Sequence, residues 1–313
     1  VIVKDQGGSV SANAGAPDDG RKRTPQPQVI ALVGNPNAGK TTVFNALTGM
    51  RQKVANYPGV TVERKEGKCR TPSGRIVTIL DLPGAYSLES RSPDEDIVRD
   101  VLLGLRQDTP RPDMVVVIVD ASNLERNLYL VTQVAELGLP VIVALNMLDL
   151  ATSYGREVNV SLLQERLGIP VVPLVARKGR GIEELRKQLD TIPPLPPWRV
   201  PLPPVMEREK EELATQLAQM AGIDHPLAEA LALRMLSNER LAHTVANRWG
   251  KDIADRAVAA RQRLTAAGLT MTSEEPTSRY QWIGDLCRDV MRLPSAQVRT
   301  LTDRLDKVLT HRV

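Results

Sequence analysis

Aromatic residues are scarce in this chain: one Phe, three Trp and five Tyr, 3% of 313 residues. A core with so few rings must be filled by aliphatic side chains. Cysteine is rarer still. Cys69 and Cys287 are the two thiols, far apart and without metal-ligand spacing. That excludes a disulfide scaffold and suits a reducing compartment. The histidines, His225, His243 and His311, have no i, i+4 partner among them, so no helical metal pair is expected. Long apolar runs are also missing. "MVVVIVDA" and "LPVIVALNML" have the length of buried strands, well short of the roughly 18–20 residues a membrane helix requires. No signal peptide is evident, so the chain reads as soluble and unable to cross a membrane. It begins with Val1 rather than Met, as a fragment would. Charge of one sign is lacking as well: 41 basic against 37 acidic residues leave +4, which neither demands nor excludes nucleic acid.

What is present is enough apolar sequence, 42%, for a buried core, and enough length for about two domains. Residues 1–27 are polar and rich in Gly, Ala, Ser, Asp and Pro, which predicts a disordered extension or a non-native tail. Over 28–192, strand-like runs near 29–34, 60–70, 75–81, 113–120, 140–146 and 170–174 alternate with helix-like ones. The turn signal "TPSG" makes the second and third an antiparallel hairpin. Ser161 and Gln164 offer a capping box to the helix in "SLLQERLG". The reading is α/β: a mostly parallel six-stranded sheet with helices on both faces. Seven prolines over 193–204 predict a semi-rigid linker. Residues 205–313 carry helical periodicity with almost no strand signal, giving an all-α domain of five or six helices.

Five motifs carry chemistry. "GNPNAGKTT" runs Gly34, Asn35, Pro36, Asn37, Ala38, Gly39, Lys40, Thr41, Thr42 and fits the phosphate-loop pattern between an aliphatic strand and a helix. Backbone N–H groups at that helix start suit phosphate oxygens. Lys40 should reach the β- and γ-phosphates, and the Thr41 hydroxyl should ligate Mg²⁺. In "DLPG", Asp81 would hold Mg²⁺ through water and the Gly84 N–H would meet the γ-phosphate. Thr61, in "NYPGVTVE", lies where a switch threonine completes the metal shell. "NMLD" reads the base: Asp149 can accept from the N1–H and exocyclic amine of guanine, which adenine cannot satisfy. With Asn146 ahead of it, Met147 keeps the apolar stem of the usual lysine without its ammonium. In "VARKG", Val175, Ala176 and Arg177 close the base pocket, with the Ala176 N–H expected at guanine O6. Together these form a GTPase set.

In combination, "GNPNAGKTTVFNALTG", "VANYPGVTVERKEG", "DLPGAYSL", "NMLD" and "ARKGRGIEEL" resemble the cytosolic amino-terminal region of bacterial ferrous iron transport protein B. "RYQWI" and "LTDRLDKVLTHRV" look like the segment before that family's membrane domain. The resemblance covers about 28–313 and implies a Ras-like G domain followed by a helical domain that stabilises bound GDP. It implies GTP, GDP and Mg²⁺ as ligands, and a location at the cytoplasmic face of the bacterial inner membrane. As partners it implies a membrane domain of the same protein; small proteins of the same iron-uptake system and a second copy are further candidates, and no nucleic acid is expected. Val175 departs from the family's usual serine.

Ala85 stands where many GTPases carry a water-orienting glutamine. The resemblance implies that Asn37 instead helps seat K⁺ beside the phosphates, with switch carbonyls from 54–60 completing the shell. Slow, K⁺-stimulated hydrolysis is therefore expected, with Asn37, Lys40, Thr61 and Gly84 as the catalytic set. Two alternatives stay open: a ribosome- or tRNA-associated GTPase, and a nucleotide sensor without turnover.

Overall fold

The computed structural model describes residues 28–50, 52–58, 60–89 and 92–292. The expectations for 1–27 and for a last helix near 297–309 lie outside these residues. The α/β part runs β1 (Val29–Gly34), α1 (Lys40–Thr48), β2 (Gln52–Asn56), β3 (Glu63–Arg70), β4 (Ile76–Asp81), α2 (Pro93–Leu102) and β5 (Met114–Asp120). It continues with α3 (Leu124–Ala135), β6 (Val141–Asn146), α4 (Leu148–Ser153), β7 (Glu157–Val158), α5 (Val160–Leu167), β8 (Val171–Pro173) and α6 (Ile182–Gln188). The main sheet has seven strands in the order β2-β3-β4-β1-β5-β6-β8, not the six expected. β2 and β3 pair antiparallel, as do β3 and β4; the rest are parallel.

The extra strand is β2, all of whose side chains are exposed. Backbone pairing from Gln52↔Gly67 to Asn56↔Glu63 holds it, and such an edge strand carries no hydrophobic signal. Residues 54–56, part of the segment expected to supply carbonyls to a cation shell, belong to this sheet ladder. The capping expectation changes too. Asn159 caps α5 by accepting from the Leu162 N–H at 3.1 Å, while Gln164 accepts from the Val171 N–H at 3.0 Å.

The parallel strands are buried on both faces, as their unbroken aliphatic runs require. Ile30, Leu32, Val116 and Ile118 pack beneath α1 and α6 with Phe44, Leu47 and Leu185. Ala31, Val33, Val115 and Val117 face the other way, toward α3, in a core that continues without a break into the helical part. That part comprises α7 (Pro204–Ala221), α8 (His225–Ser237), α9 (Glu239–Trp249), α10 (Lys251–Ala266) and α11 (Met271–Val290), then a short β9 (Met291–Arg292). β9 returns to pair with β7 of the α/β part. α11 starts eight residues before its strongest sequence signal, and Pro276 lies inside it.

The proline-rich segment is packed rather than spanning free space. Trp198 is buried and tilts against Trp282 at 4.9 Å, and the Val200 N–H donates to Glu136, at the C-terminal cap of α3, at 2.7 Å. Two arginines of the helical part are buried at the same seam. Arg234 pairs with Glu89 at 2.5 Å, and Arg279 pairs with Glu136 at 2.6 Å and with Glu275. Burial works against the charge of Arg279, yet the Glu136 and Glu275 carboxylates outweigh it and raise its pKa.

Candidate functional site

The five motifs meet at the C-terminal ends of the parallel strands, where open α/β sheets bind ligands. β1 delivers the phosphate loop, β4 delivers Asp81 and β6 delivers "NMLD". The loop bends through two left-handed residues, Asn37 (φ 67°) and Gly39 (φ 92°). Asparagine tolerates that region. At Gly39 a side chain is excluded twice over: its Cβ would lie 2.3 Å from Asn146 Nδ2. Gly84 is also tightly placed, with its would-be Cβ 3.1–3.3 Å from Pro36.

On one side of the loop is a cleft of about 480 Å³ lined by Lys40, Thr41, Thr61 and Asp81. Thr61 lies just ahead of β3 rather than within it, which leaves its side chain exposed to the cleft. Lys40 Nζ meets Asp81 Oδ1 at 2.5 Å, with the Asp81 side chain 4% exposed. Two hydroxyls and a carboxylate around one cleft are the hard oxygen donors that Mg²⁺ prefers, so the residues fit that ion. Asn37 is exposed, and its side chain makes no hydrogen bond to a described residue, so its amide oxygen is available as a donor to K⁺.

On the other side is a pocket of about 140 Å³ lined by Gly39, Thr42, Asn146, Met147, Asp149, Val175, Ala176 and Arg177. Asn146 holds its walls together. Its Nδ2 donates to the Ala38 carbonyl at 3.0 Å, and its Oδ1 accepts from the Ala176 N–H at 3.0 Å. The N–H expected at guanine O6 thus bonds Asn146 here, because the buried amide oxygen needs a donor. Asp149 is held in cis as well: Arg177 contacts its Oδ2 at 2.7 Å and Lys178 at 3.1 Å. Hydrogen bonds from Arg177, then Lys178, hold its pKa down at about 2, so this carboxylate stays ionised. Met147 takes a left-handed backbone (φ 60°), turning the chain directly into α4.

Ala85 is buried, and its N–H donates to the Gly34 carbonyl at 3.2 Å. Its methyl packs in the apolar core. Three supports were not read from the sequence. Glu95 accepts from the N–H groups of Tyr86 and Ser87 at 3.2 and 3.1 Å, fixing the loop after "DLPG". The signal was available in "SPDE": Ser92 caps α2 with Glu95 three residues on. Tyr57 is buried below the loop preceding Thr61, with Arg106 5.1 Å from its ring centre, and burial pushes its hydroxyl up to about 12. Arg126 sits 4.2 Å over the ring of Tyr86.

Comparison with known proteins places this geometry. The family model described as ferrous iron transport protein B matches residues 28–189. The chain is 40% identical over 294 residues to the Fe(2+) transporter FeoB of Salmonella typhimurium, covering 90% of this chain and 36% of that protein. It is 37% identical over 296 residues to an Fe(2+) transport protein A/Fe(2+) transporter FeoB fusion protein of Porphyromonas gingivalis, covering 91% and 34%. It thus spans little more than a third of those relatives. Among solved structures, a GDP-bound mutant of the S. thermophilus FeoB G-domain matches with a TM-score of 0.72 at 33% identity, covering 85% of this chain and 100% of that one. The cytosolic domain of L. pneumophila FeoB matches with a TM-score of 0.66 at 33% identity, covering 84% and 99%. With a family match across 28–189 and these neighbours over both the sheet and the helices, the chain belongs to the ferrous iron transport protein B family.

Proposed function

We propose that this chain is the guanine-nucleotide-binding, slowly GTP-hydrolysing regulatory module of a bacterial ferrous iron transporter, stimulated by K⁺. The observation that carries the reading is the Lys40–Asp81 pair at 2.5 Å across a cleft that Thr41 and Thr61 also line. A lysine and a carboxylate brought together there are the two charges that a nucleoside triphosphate with its metal would separate. The GDP in the S. thermophilus relative supports the same assignment.

In this reading Lys40 moves from Asp81 to the β- and γ-phosphate oxygens, and the loop N–H groups hold the remaining phosphate charge. Thr41, Thr61 and Asp81 would hold Mg²⁺, and the Asn37 amide oxygen would hold K⁺. Bound there, these cations neutralise charge on the transferring phosphoryl group, which is most of what phosphoryl transfer asks of a protein. The Gly84 N–H contacts the γ-phosphate. Asp149 accepts from the guanine N1–H and amine after exchanging its contact with Arg177. The Ala176 N–H reaches O6 by turning from Asn146. The proposed division is a G domain over 28–192, the anchored segment 193–204 and a GDP-stabilising helical domain from 205. The proposed partner is a membrane domain of the same transporter in the bacterial inner membrane.

The test is multiple-turnover phosphate release from GTP in K⁺ and in Na⁺. A higher rate in K⁺, abolished by Asn37→Ala with GDP affinity nearly unchanged, is expected. Equal rates in both salts would remove the cation assignment, and no turnover in either would leave a binding module.

A further inference from the structure

A cavity of about 720 Å³, larger than either nucleotide cleft, opens between the first turn of α3 and the end of α11. Its volume falls in the range of small-molecule sites, about 300–1,000 Å³. None of the five motifs contributes to it.

Three arginines line it: Arg126 from α3, Arg156 from the turn after α4, and Arg288 from α11. Among the described residues Arg126 and Arg156 meet no carboxylate. Arg156 is only part-exposed and donates to the Ser122 carbonyl; Arg126 rests on the Tyr86 ring. Arg288 pairs with Asp285, but its side chain is 78% exposed, and such a surface pair holds its guanidinium only weakly. Against these three guanidiniums the lining has one carboxylate, Glu125, leaving a net of two positive charges. The N-terminus of α3 adds to the positive potential, and no side chain caps it.

The remaining walls are apolar or aromatic. Leu124 and Met291 line the cavity, and so does Tyr280, whose ring stacks on Tyr129 at 4.6 Å and is thereby fixed. Gly284 faces the same space, where an added Cβ would meet nothing within 4 Å. Two arginines that meet no described carboxylate, a third in an exposed pair, a fixed ring and an open wall suit a ligand with an anionic head and a flat or apolar body.

We propose that this cavity binds a phosphomonoester, a phosphoryl group carried on a ring or short apolar group. A phosphomonoester brings about two negative charges near neutral pH, matching the net charge of the lining. Its three terminal oxygens can accept from more than one guanidinium fork at once, where a carboxylate offers two. The ring or chain lies against Tyr280 and Leu124. Because Arg126 also touches Tyr86, an occupant shares one residue with the loop after "DLPG". The proposal does not depend on the guanine-nucleotide reading.

The experiment is calorimetric titration of the chain with phenyl phosphate, with GDP and Mg²⁺ present in excess to fill the nucleotide clefts. Saturable binding is expected, weakened about tenfold or more by Arg156→Gln and by Arg288→Gln, which corresponds to about 1.4 kcal/mol. Unchanged melting temperatures show that the variants fold; Arg288, on the surface, keeps the test valid if Arg156→Gln does not. A second arm uses vesicles of phosphatidylcholine with or without phosphatidic acid. Phosphatidic acid-dependent binding lost in the same variants supports the site with a lipid headgroup as the source, and phenyl phosphate binding supports a soluble one. No saturable binding in either arm up to roughly 10 mM ligand, or binding indifferent to both substitutions, overturns the proposal.

Discussion

Replacing Arg234 with methionine removes one guanidinium from the seam between the sheet and the helices while keeping most of the aliphatic stem. The side chain is 2% exposed. It meets Glu89 at 2.5 Å and stands 3.6 Å from Glu136 and 3.7 Å from Glu275. Among the described residues Arg279 is then the only guanidinium facing Glu136 and Glu275, and Glu89 keeps only the Gln133 amide at 3.2 Å. Breaking a buried pair by removing one partner typically costs about 3–5 kcal/mol. Two features pull the estimate toward the lower end. Glu89 is 18% exposed and can regain water, and Arg234 Nε has no partner to lose. The expectation is a loss of about 3 kcal/mol, a large part of the roughly 5–15 kcal/mol that holds a domain folded. Urea unfolding followed by circular dichroism measures it. With a slope of about 3 kcal/mol per molar, the midpoint falls by about 1 M. Adding Glu89→Gln should recover part of the loss, with a coupling energy between about 0.5 and 3 kcal/mol in the double-mutant cycle. A midpoint for Arg234→Met matching the wild type would refute the reasoning, since it would mean these charges are solvated and the seam is not closed.

Three further outcomes test the site. Gly39→Ala sets a Cβ against Asn146 at a φ of 92°, and fluorescent GDP analogues should bind at least about tenfold more weakly, with Gly49→Ala, where a Cβ meets nothing, as the comparison. Asn146→Ala cuts the ties to Ala38 and Ala176, so nucleotide should dissociate faster and Gly39 amide exchange should rise; unchanged off-rates would deny Asn146 its holding role. Asp149 is depressed to about 2 by Arg177 and Lys178, so the pair's contribution is full above the unfolded carboxylate value near 4 and is lost as pH falls through about 2; in Arg177→Ala the titration of Asp149, followed by NMR, should move upward, and a fixed midpoint would count against the contact.

Much of the sheet and all five motifs were legible because burial on both faces leaves unbroken aliphatic runs such as Met114–Asp120 and Val141–Asn146. β2 was not, since "QKVAN" is held by main-chain bonds alone and its side chains point to solvent. The early start of α11 was hidden by Pro276, which ordinarily ends a helix. Arg234 and Arg279 gave no signal either: a charged residue in a helical repeat reads as a solvent face until its partners, 145 and 143 positions away in Glu89 and Glu136, are folded beside it. At the site the donors were readable from the sequence. What they bond to was not, because Lys40–Asp81, Arg177–Asp149 and Ala176–Asn146 all join different loops.

The little ribbon of β7 and β9 sets where force can enter the molecule. Val158↔Met291 and Glu157↔Arg292 tie the end of the helical part to the sheet side, a few residues after α4 and its Asp149. A pull applied beyond Arg292 is therefore taken up first by these backbone pairs, and only afterwards by the helices. Seven residues separate Asp149 from Glu157, so the ribbon and the pocket that Asp149 lines are joined by one short stretch of backbone.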